Sequence, residues 1–386
     1  MTYKRTIDVC ASVALTAVVC SAMGQQMTTS AEQDKLVRMN QIQVIGSHNS
    51  YHAGFAPSER KYMEMKNPKA LRSLDYHHVP LSDQLSGGVR QIEIDIFADA
   101  KGGRFAHPAI VRRVAEAGLP TDPDFDPQHE MDRPGFKVMH VQDLDERSTC
   151  HTFVACLTQV RAWSKAHPQH LPIFILVETK EGELRELPDA VRTEPFTPAA
   201  FDELDAEIRS VFKADEIITP DEVRGNAATL VDAVHAGKWP TLAQARGRVV
   251  FLMDQQKAGP IYVQGHPALR GRILFTNAEA GAPDAAFIEQ NDGTRATIDA
   301  LVKQGYLVRT RTDEGTEQAR TNDTARRDLV LSSGAQMIST DYPSSEPSQW
   351  TTFSVGLPDG LVARCNHVTK PAGCMDRLLE ESAASR

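Results

Sequence analysis

Eight short runs of apolar and β-branched residues recur along the chain: 41–47 (QIQVIGS), 89–97 (VRQIEIDIF), 136–141 (FKVMHV), 172–179 (PIFILVET), 248–254 (RVVFLMD), 272–277 (RILFTN), 306–312 (YLVRTRT) and 335–340 (AQMIST). Near-continuous runs of this length are the pattern of parallel strands buried on both faces. Helix-period patterns fill several of the intervals, at 150–167, 201–212 and 323–334, the last with Gly334 where a C-cap belongs. Strands that alternate with helices in this way predict an α/β protein, a (β/α)8 TIM barrel. Two intervals exceed a plain connection and read as insertions. Residues 99–134 are rich in Gly, Pro, Asp and His, and 181–247 have room for two or three helices. A Pro- and Ser-rich tail runs from 342 to 386. No internal repeat is visible, and residues 25–386 are expected to form one catalytic barrel.

The first 24 residues read as a signal peptide. Lys4 and Arg5 supply the basic start, VCASVALTAVVCSA the apolar stretch, and Ala22-Met23-Gly24 the small residues at cleavage spacing. The expected location is therefore secreted or periplasmic. Beyond the signal, with its Cys10 and Cys20, four cysteines remain in two sequence-local pairs. In an oxidising compartment these pair as Cys150–Cys156 and Cys365–Cys374; the spacings do not suit a zinc site. The net charge of −9, without a basic run, argues against nucleic acid as a partner and predicts no strong attraction to anionic membranes. A monomer is expected.

In a barrel of this kind, chemistry sits at the C-terminal ends of the strands. The residues standing there are His48 and Asn49, Glu93 and Asp95, His140, Glu178 and Lys180, Arg309 and Arg311, and Asp341 and Tyr342. Side chains two apart on a strand share a face, so Glu93 and Asp95 point together, away from Ile92, Ile94 and Ile96. Three carboxylates and an amide converging on one spot require a cation, because left bare they repel one another. An all-oxygen donor set suits a hard ion such as calcium better than zinc. Two histidines beside such an ion suit phosphoryl chemistry, one donating a proton to a leaving group and the other stabilising charge on phosphate oxygens. Taken singly, His48 or His140 is an ordinary turn or core histidine and Glu-x-Asp an exposed polar strand face. Their joint placement at successive strand ends is what favours function.

GSHNSYH, EIDIF, VMH and VETK, in this order and on these strands, resemble the catalytic barrel of the calcium-dependent phosphoinositide-specific phospholipase C family, a phosphodiesterase barrel, in its bacterial secreted branch. The resemblance implies calcium held by Asn49, Glu93, Asp95 and Glu178, with His48 and His140 catalytic and Lys180 on substrate phosphate. The metal-independent bacterial relatives place an arginine directly after the second-strand acid, where this chain has Ile96, which favours the metal. The implied reaction cleaves phosphatidylinositol. Glu178 or Glu93 takes a proton from an inositol hydroxyl, which attacks the phosphodiester to give inositol cyclic phosphate and diacylglycerol. His140 protonates the departing oxygen, and His48 stabilises the phosphorane. Arg309 and Arg311 either grip a phosphate or pair with Asp313 or Asp341. Asp341 and Tyr342 either orient an inositol hydroxyl or pack the barrel mouth. The expected partners are a phosphoinositide lipid or a soluble inositol phosphodiester, with transient contact to a membrane surface. Two rivals stay open: another barrel phosphodiesterase (a glycerophosphodiester phosphodiesterase or a phospholipase D-like enzyme), and a non-catalytic exported binding module.

Overall fold

A computed structural model describes residues 29–184 and 189–380. The signal peptide expected at 1–24 lies outside the described residues. Ten strands are described: β1 (Ile42–Ser47), β2 (Gln91–Phe97), β3 (Lys137–Val138), β4 (Ile173–Thr179), β5 (Ile217–Ile218), β6 (Val249–Met253), β7 (Phe287–Glu289), β8 (Leu307–Arg311), β9 (Met337–Thr340) and β10 (Ala363–Cys365). They form one sheet of order β5-β6-β4-β2-β1-β9-β8-β7, parallel throughout, with β3 and β10 added antiparallel to β2 and β1.

The sheet curls, and its two ends are joined by residues 275–277. Phe275 bridges Leu252 of β6, and Asn277 bridges Phe287 of β7, both in parallel sense. β5 pairs only with the start of β6, at Val249 and Val250, below the Phe275 bridge. The eight ring positions are therefore β1, β2, β4, β6, the 275–277 segment, β7, β8 and β9, as the TIM barrel expectation requires. β2 and β6 are buried at every residue, β6 as an unbroken apolar run and β2 with Gln91, Glu93 and Asp95 alternating with its isoleucines. Ile92, Ile94 and Ile96 join the main apolar core with β4, β6 and the helices.

Two of the eight expected strands are corrected. The run 136–141 is not a barrel strand. Only Lys137–Val138 is extended, and it runs antiparallel to the end of β2, Val138 opposite Ile96 and Lys137 opposite Phe97. Hydrophobicity reports burial, not strand direction, and this segment returns from the 99–134 insertion to fold back on β2. The run 272–277 contributes isolated bridges rather than a strand. The ring place expected for 136–141 is instead made up by β7, whose three residues fall below the length at which a period can be read.

The predicted helices appear as Phe153–Ala166, Pro198–Val211 and Ala325–Leu331. Thr152 and Thr197 cap the first two through their hydroxyls, and Pro198 sits in the first turn, where its missing N–H costs nothing. The third stops at Ser332, so Gly334 is not its cap. The first insertion holds the helix Ala109–Glu116, and the second holds Pro220–Arg224, Leu230–His235 and Leu242–Ala245 besides Pro198–Val211. Both expected disulfides, Cys150–Cys156 and Cys365–Cys374, are formed.

The tail is anchored under the barrel. Glu380 accepts from the guanidinium of Arg90, at the start of β2, and from the backbone N–H of Leu171, just before β4. Arg90 is fully buried, lies 4.9 Å over the ring of Trp163, and gives its remaining donors to the Leu85 and Val89 carbonyls. Removing the carboxylate strands a buried cation. Glu380→Ala is expected to lower unfolding stability by about 3–5 kcal/mol in urea titrations; a change within about 0.5 kcal/mol would show that the tail does not hold β2 and β4.

Candidate active site

β1 reaches the site because of one glycine. A Cβ on Gly46 would lie 2.0 Å from the Gln91 Oε1 and 2.9 Å from the Gln91 Cβ, so β1 and β2 meet at this pair only without a side chain. Beyond Ser47 the chain turns sharply. Asn49 takes a positive φ of 45°, a conformation asparagine tolerates better than most residues. Ser50 pins the turn to β2: its N–H donates to the Glu93 carbonyl, and its Oγ accepts the Glu93 N–H at 2.8 Å. Asn49 donates through Nδ2 to the Tyr76 hydroxyl at 2.7 Å. Its Oδ1 is buried without a hydrogen-bond partner.

Glu93, Asp95 and Glu178 each present a carboxylate oxygen within 4.8 Å of the others. Asp95 is fully buried and neither of its oxygens has a hydrogen-bond partner, although the Lys180 ammonium forms an ion pair at 3.0 Å from Oδ2. The same ammonium lies 3.1 Å from Glu178 Oε1. Burial, then the charge of Glu178, pushes the Asp95 carboxyl well above the usual range. Burial pushes Glu93 up to about 7 against the pull of Arg309. Burial also opposes ionisation of Glu178, but Lys180 outweighs it and holds that group below its ordinary value. Lys180 is raised in turn: burial disfavours its charge, and Asp95 and Glu178 more than restore it. A fully buried carboxylate without hydrogen-bond partners, beside two further carboxylates, fits a hard divalent cation, and the unpartnered Asn49 Oδ1 is an oxygen donor of the same kind.

Each histidine is held by its own buried aspartate. His48 Nδ1 is 2.6 Å from Asp341 Oδ1, and its Nε2 is 3.5 Å from Glu93 Oε1. His140 Nδ1 is 2.9 Å from Asp145 Oδ2. Asp145 is also gripped by His52 Nε2, at 2.8 and 2.9 Å from its two oxygens. Burial lowers both His48 and His140; Arg311 and Arg309 lower His48 further, whereas Asp145 opposes the shift in His140. His78 Nε2 lies 2.9 Å from the His48 carbonyl oxygen and so fixes the turn from beneath.

The remaining expected residues divide between mouth and interior. Arg309, on β8, reaches across the ring to Glu93 and also holds Ser339 and Asn291, at 3.1 and 2.9 Å. Its side chain is 1% exposed, so it is committed to the interior. Arg311 is 17% exposed and stands 3.3 Å from His48 Nδ1 and 3.8 Å from Asp341 Oδ2. Asp341 is taken up by His48, and its backbone N–H donates to Asp313. Tyr342 sits in a satellite apolar cluster with Phe353 and Trp350.

Four further participants were not among the expected site residues. Asp145 follows His140 by five residues across a hairpin turn. His52 ends the GSHNSYH stretch but acts through Asp145. Asp254 and Glu289 stand at the ends of β6 and β7 near Arg309; burial raises both, and Glu178 raises Asp254 further. Asp254 was visible as the acid that ends the run 248–254.

The family model described as "Phosphoinositide phospholipase C, Ca2+-dependent" matches residues 37–367. Among solved structures, the chain is similar to a calcium-dependent phosphoinositol-specific phospholipase C from Pseudomonas sp., at 15% identity and a TM-score of 0.50, over 86% of this chain and 96% of that one. It is also similar to a Ca2+-dependent phosphatidylinositol-specific phospholipase C from Streptomyces antibioticus, at 18% identity and a TM-score of 0.48, over 79% and 95%. A third similarity is to the phosphatidylinositol-specific phospholipase C of Listeria monocytogenes, at 11% identity and a TM-score of 0.41, over 81% and 91%. No curated protein matches the chain. The family match spans most of the sequence and includes every acid and histidine of the site, and on that ground the chain belongs to the Ca2+-dependent phosphoinositide phospholipase C family.

Proposed function

We propose that this phosphoric diester hydrolase is an exported, secreted or periplasmic enzyme that cleaves phosphatidylinositol to diacylglycerol and an inositol cyclic phosphate. The observation that carries the reading is the acidic cluster flanked by two histidines, each fixed by a buried aspartate. The two disulfides agree with an oxidising compartment.

Asn49, Glu93, Asp95 and Glu178 would hold Ca2+. When bound, the ion lowers the pKa of an attacking hydroxyl and offsets charge on phosphate oxygens. Glu178 is the reachable base: it is 24% exposed, whereas Glu93 is tied to Arg309 inside the ring. The ring hydroxyl gives its proton to Glu178 and its oxygen to phosphorus, and the bond from phosphorus to the glyceryl oxygen breaks. Asp145 occupies Nδ1 of His140, which leaves Nε2 as the working nitrogen to protonate that oxygen. Asp341 does the same for His48, whose Nε2 then faces the phosphate, with Arg311 adding positive charge beside it. Lys180 neutralises Asp95 and Glu178 and stands ready to contact phosphate. Water opens the cyclic phosphate by the reverse proton transfers.

Phosphorus NMR of the protein with phosphatidylinositol should show a cyclic inositol phosphate signal that a chelator abolishes. A linear phosphomonoester as the first product, or activity that survives the chelator, would contradict the reading. His140→Ala should reduce turnover by about 10²–10⁴-fold.

The proton donor also sets a pH dependence. His140 is held below its ordinary value of 6.5, so its acid form is lost as pH rises through that lowered value. The descending limb of kcat/KM is expected below pH 6.5. Asp145→Asn removes the interaction that raises His140, so the limb should move to still lower pH, with about tenfold lower activity on it per pH unit of displacement. An unmoved limb would separate Asp145 from the proton transfer.

A further inference from the structure

Among the described residues, two groups of acids or histidines bring three ligand atoms within 4.8 Å of one another. One is the acidic cluster of Glu93, Asp95 and Glu178. The other is His52, His140 and Asp145, which offer two imidazole nitrogens and a carboxylate. The two donor sets differ in kind. Oxygens alone suit a hard ion. Two imidazoles and a carboxylate suit a borderline ion such as zinc, which takes three protein ligands and leaves its fourth position to water.

The second set already converges. Asp145 lies between the two rings, with His52 Nε2 at 2.8 and 2.9 Å from its oxygens and His140 Nδ1 at 2.9 Å from Oδ2. Zinc–nitrogen distances of about 2.0–2.1 Å place tetrahedral donors roughly 3.3 Å apart, so these contacts need to open by about half an ångström. Both supports are firm. The His52 N–H donates to the Asn49 carbonyl, the His52 carbonyl accepts from the His78 N–H, and the Tyr76 ring lies 4.6 Å from the imidazole. On the hairpin, the Asp145 N–H donates to the Val141 carbonyl and the His140 N–H to the Asp145 carbonyl. His52 and Asp145 are buried, whereas the His140 side chain is 16% exposed, so an ion enters from the mouth past His140.

Ligation moves protons within the rings and releases none. A neutral imidazole against a carboxylate carries its hydrogen on the facing nitrogen. To free that lone pair, the hydrogen passes from Nε2 to Nδ1 in His52 and from Nδ1 to Nε2 in His140. Nδ1 of His52 is buried without a hydrogen-bond partner, so no bond is broken there. The consequence falls on His140. As a proton donor it acts as an imidazolium. With a metal on Nδ1 it is a neutral ring, and its Nε2–H is a far weaker acid.

We propose that His52, His140 and Asp145 form a second metal site, one that takes zinc in preference to calcium and whose occupancy stops turnover. The loss of turnover rests on the reading of His140 as the acid; the metal site does not.

Calorimetric titration of Zn2+ into protein saturated with Ca2+, which keeps the acidic cluster filled, tests it. The wild type should take up one zinc ion, and Co2+ in its place should show the visible absorption of a four-coordinate site. Cleavage of phosphatidylinositol in calcium should fall in step with zinc occupancy. His52→Gln keeps a donor to Asp145 but removes the imidazole. It should bind zinc more weakly by over about 100-fold, beyond the roughly 10–100-fold that loss of an outer partner costs. His140→Ala, at the exposed edge of the site, should lose zinc to the same extent, and circular dichroism should show both variants folded. A calcium-saturated wild type that binds no zinc, variants that bind it as tightly, or zinc that rising calcium displaces would overturn the proposal. So would full turnover with zinc bound. If zinc binds the wild type and neither variant, but phosphatidylinositol is not cleaved in calcium alone, the metal site stands and the assigned reaction fails.

Discussion

Everything in the mouth of this barrel is arranged around carboxylates that should not be buried together. Glu93, Asp95 and Glu178 approach within 4.8 Å, and Asp95 is fully enclosed. Sequestering an ion of this size from water costs several kcal/mol unless it is paired. Lys180 compensates Asp95 and Glu178 from one side, and Arg309 reaches across the ring to Glu93 from the other. Both cations leave hydrogen-bonding capacity unfilled at Asp95. That deficit is what a hard divalent cation would relieve. It also explains why Arg309, which could have bound substrate, is consumed by the scaffold.

The histidines depend on the same frame. His48 can stand 3.5 Å from Glu93 only because β1 and β2 touch at Gly46 and because Ser50 ties the turn to the Glu93 backbone. Its other nitrogen is claimed by Asp341 at the end of β9, so three neighbouring strands fix one imidazole. His140 is supported differently. It stands on a hairpin, and its position comes from Asp145, which His52 holds from behind. The two histidines thus have similar aspartate partners built from unrelated backbone, which lets one face the acidic cluster while the other stands on a hairpin beside it.

Much of this was legible in the sequence. β1, β2, β4, β6, β8 and β9 are strands centred on β-branched and apolar residues, and Glu93 with Asp95 shares a face by strand period alone. His48, Asn49, Glu178 and Lys180 stood at readable strand ends. What was not legible is what depends on direction or on contact across the ring. The FKVMHV segment is as apolar as a barrel strand, yet its partner geometry makes it antiparallel. The ring closes through Phe275, Asn277 and the three residues of β7, too short to show a period. The pairing of Arg309 with Glu93, rather than with Asp313 or Asp341, required the closed ring, and Asp145 required the hairpin turn that returns it to His140.

The account turns on whether the acidic cluster binds calcium through Asp95. Calorimetric titration of calcium into the wild-type protein and into Asp95→Asn, without substrate, asks this directly. The predicted result is saturable binding of one ion by the wild type, weakened in the variant by more than the roughly 10–100-fold that loss of an outer partner costs. A wild type that takes up no calcium, or an Asp95→Asn protein that binds it equally well, would contradict the account.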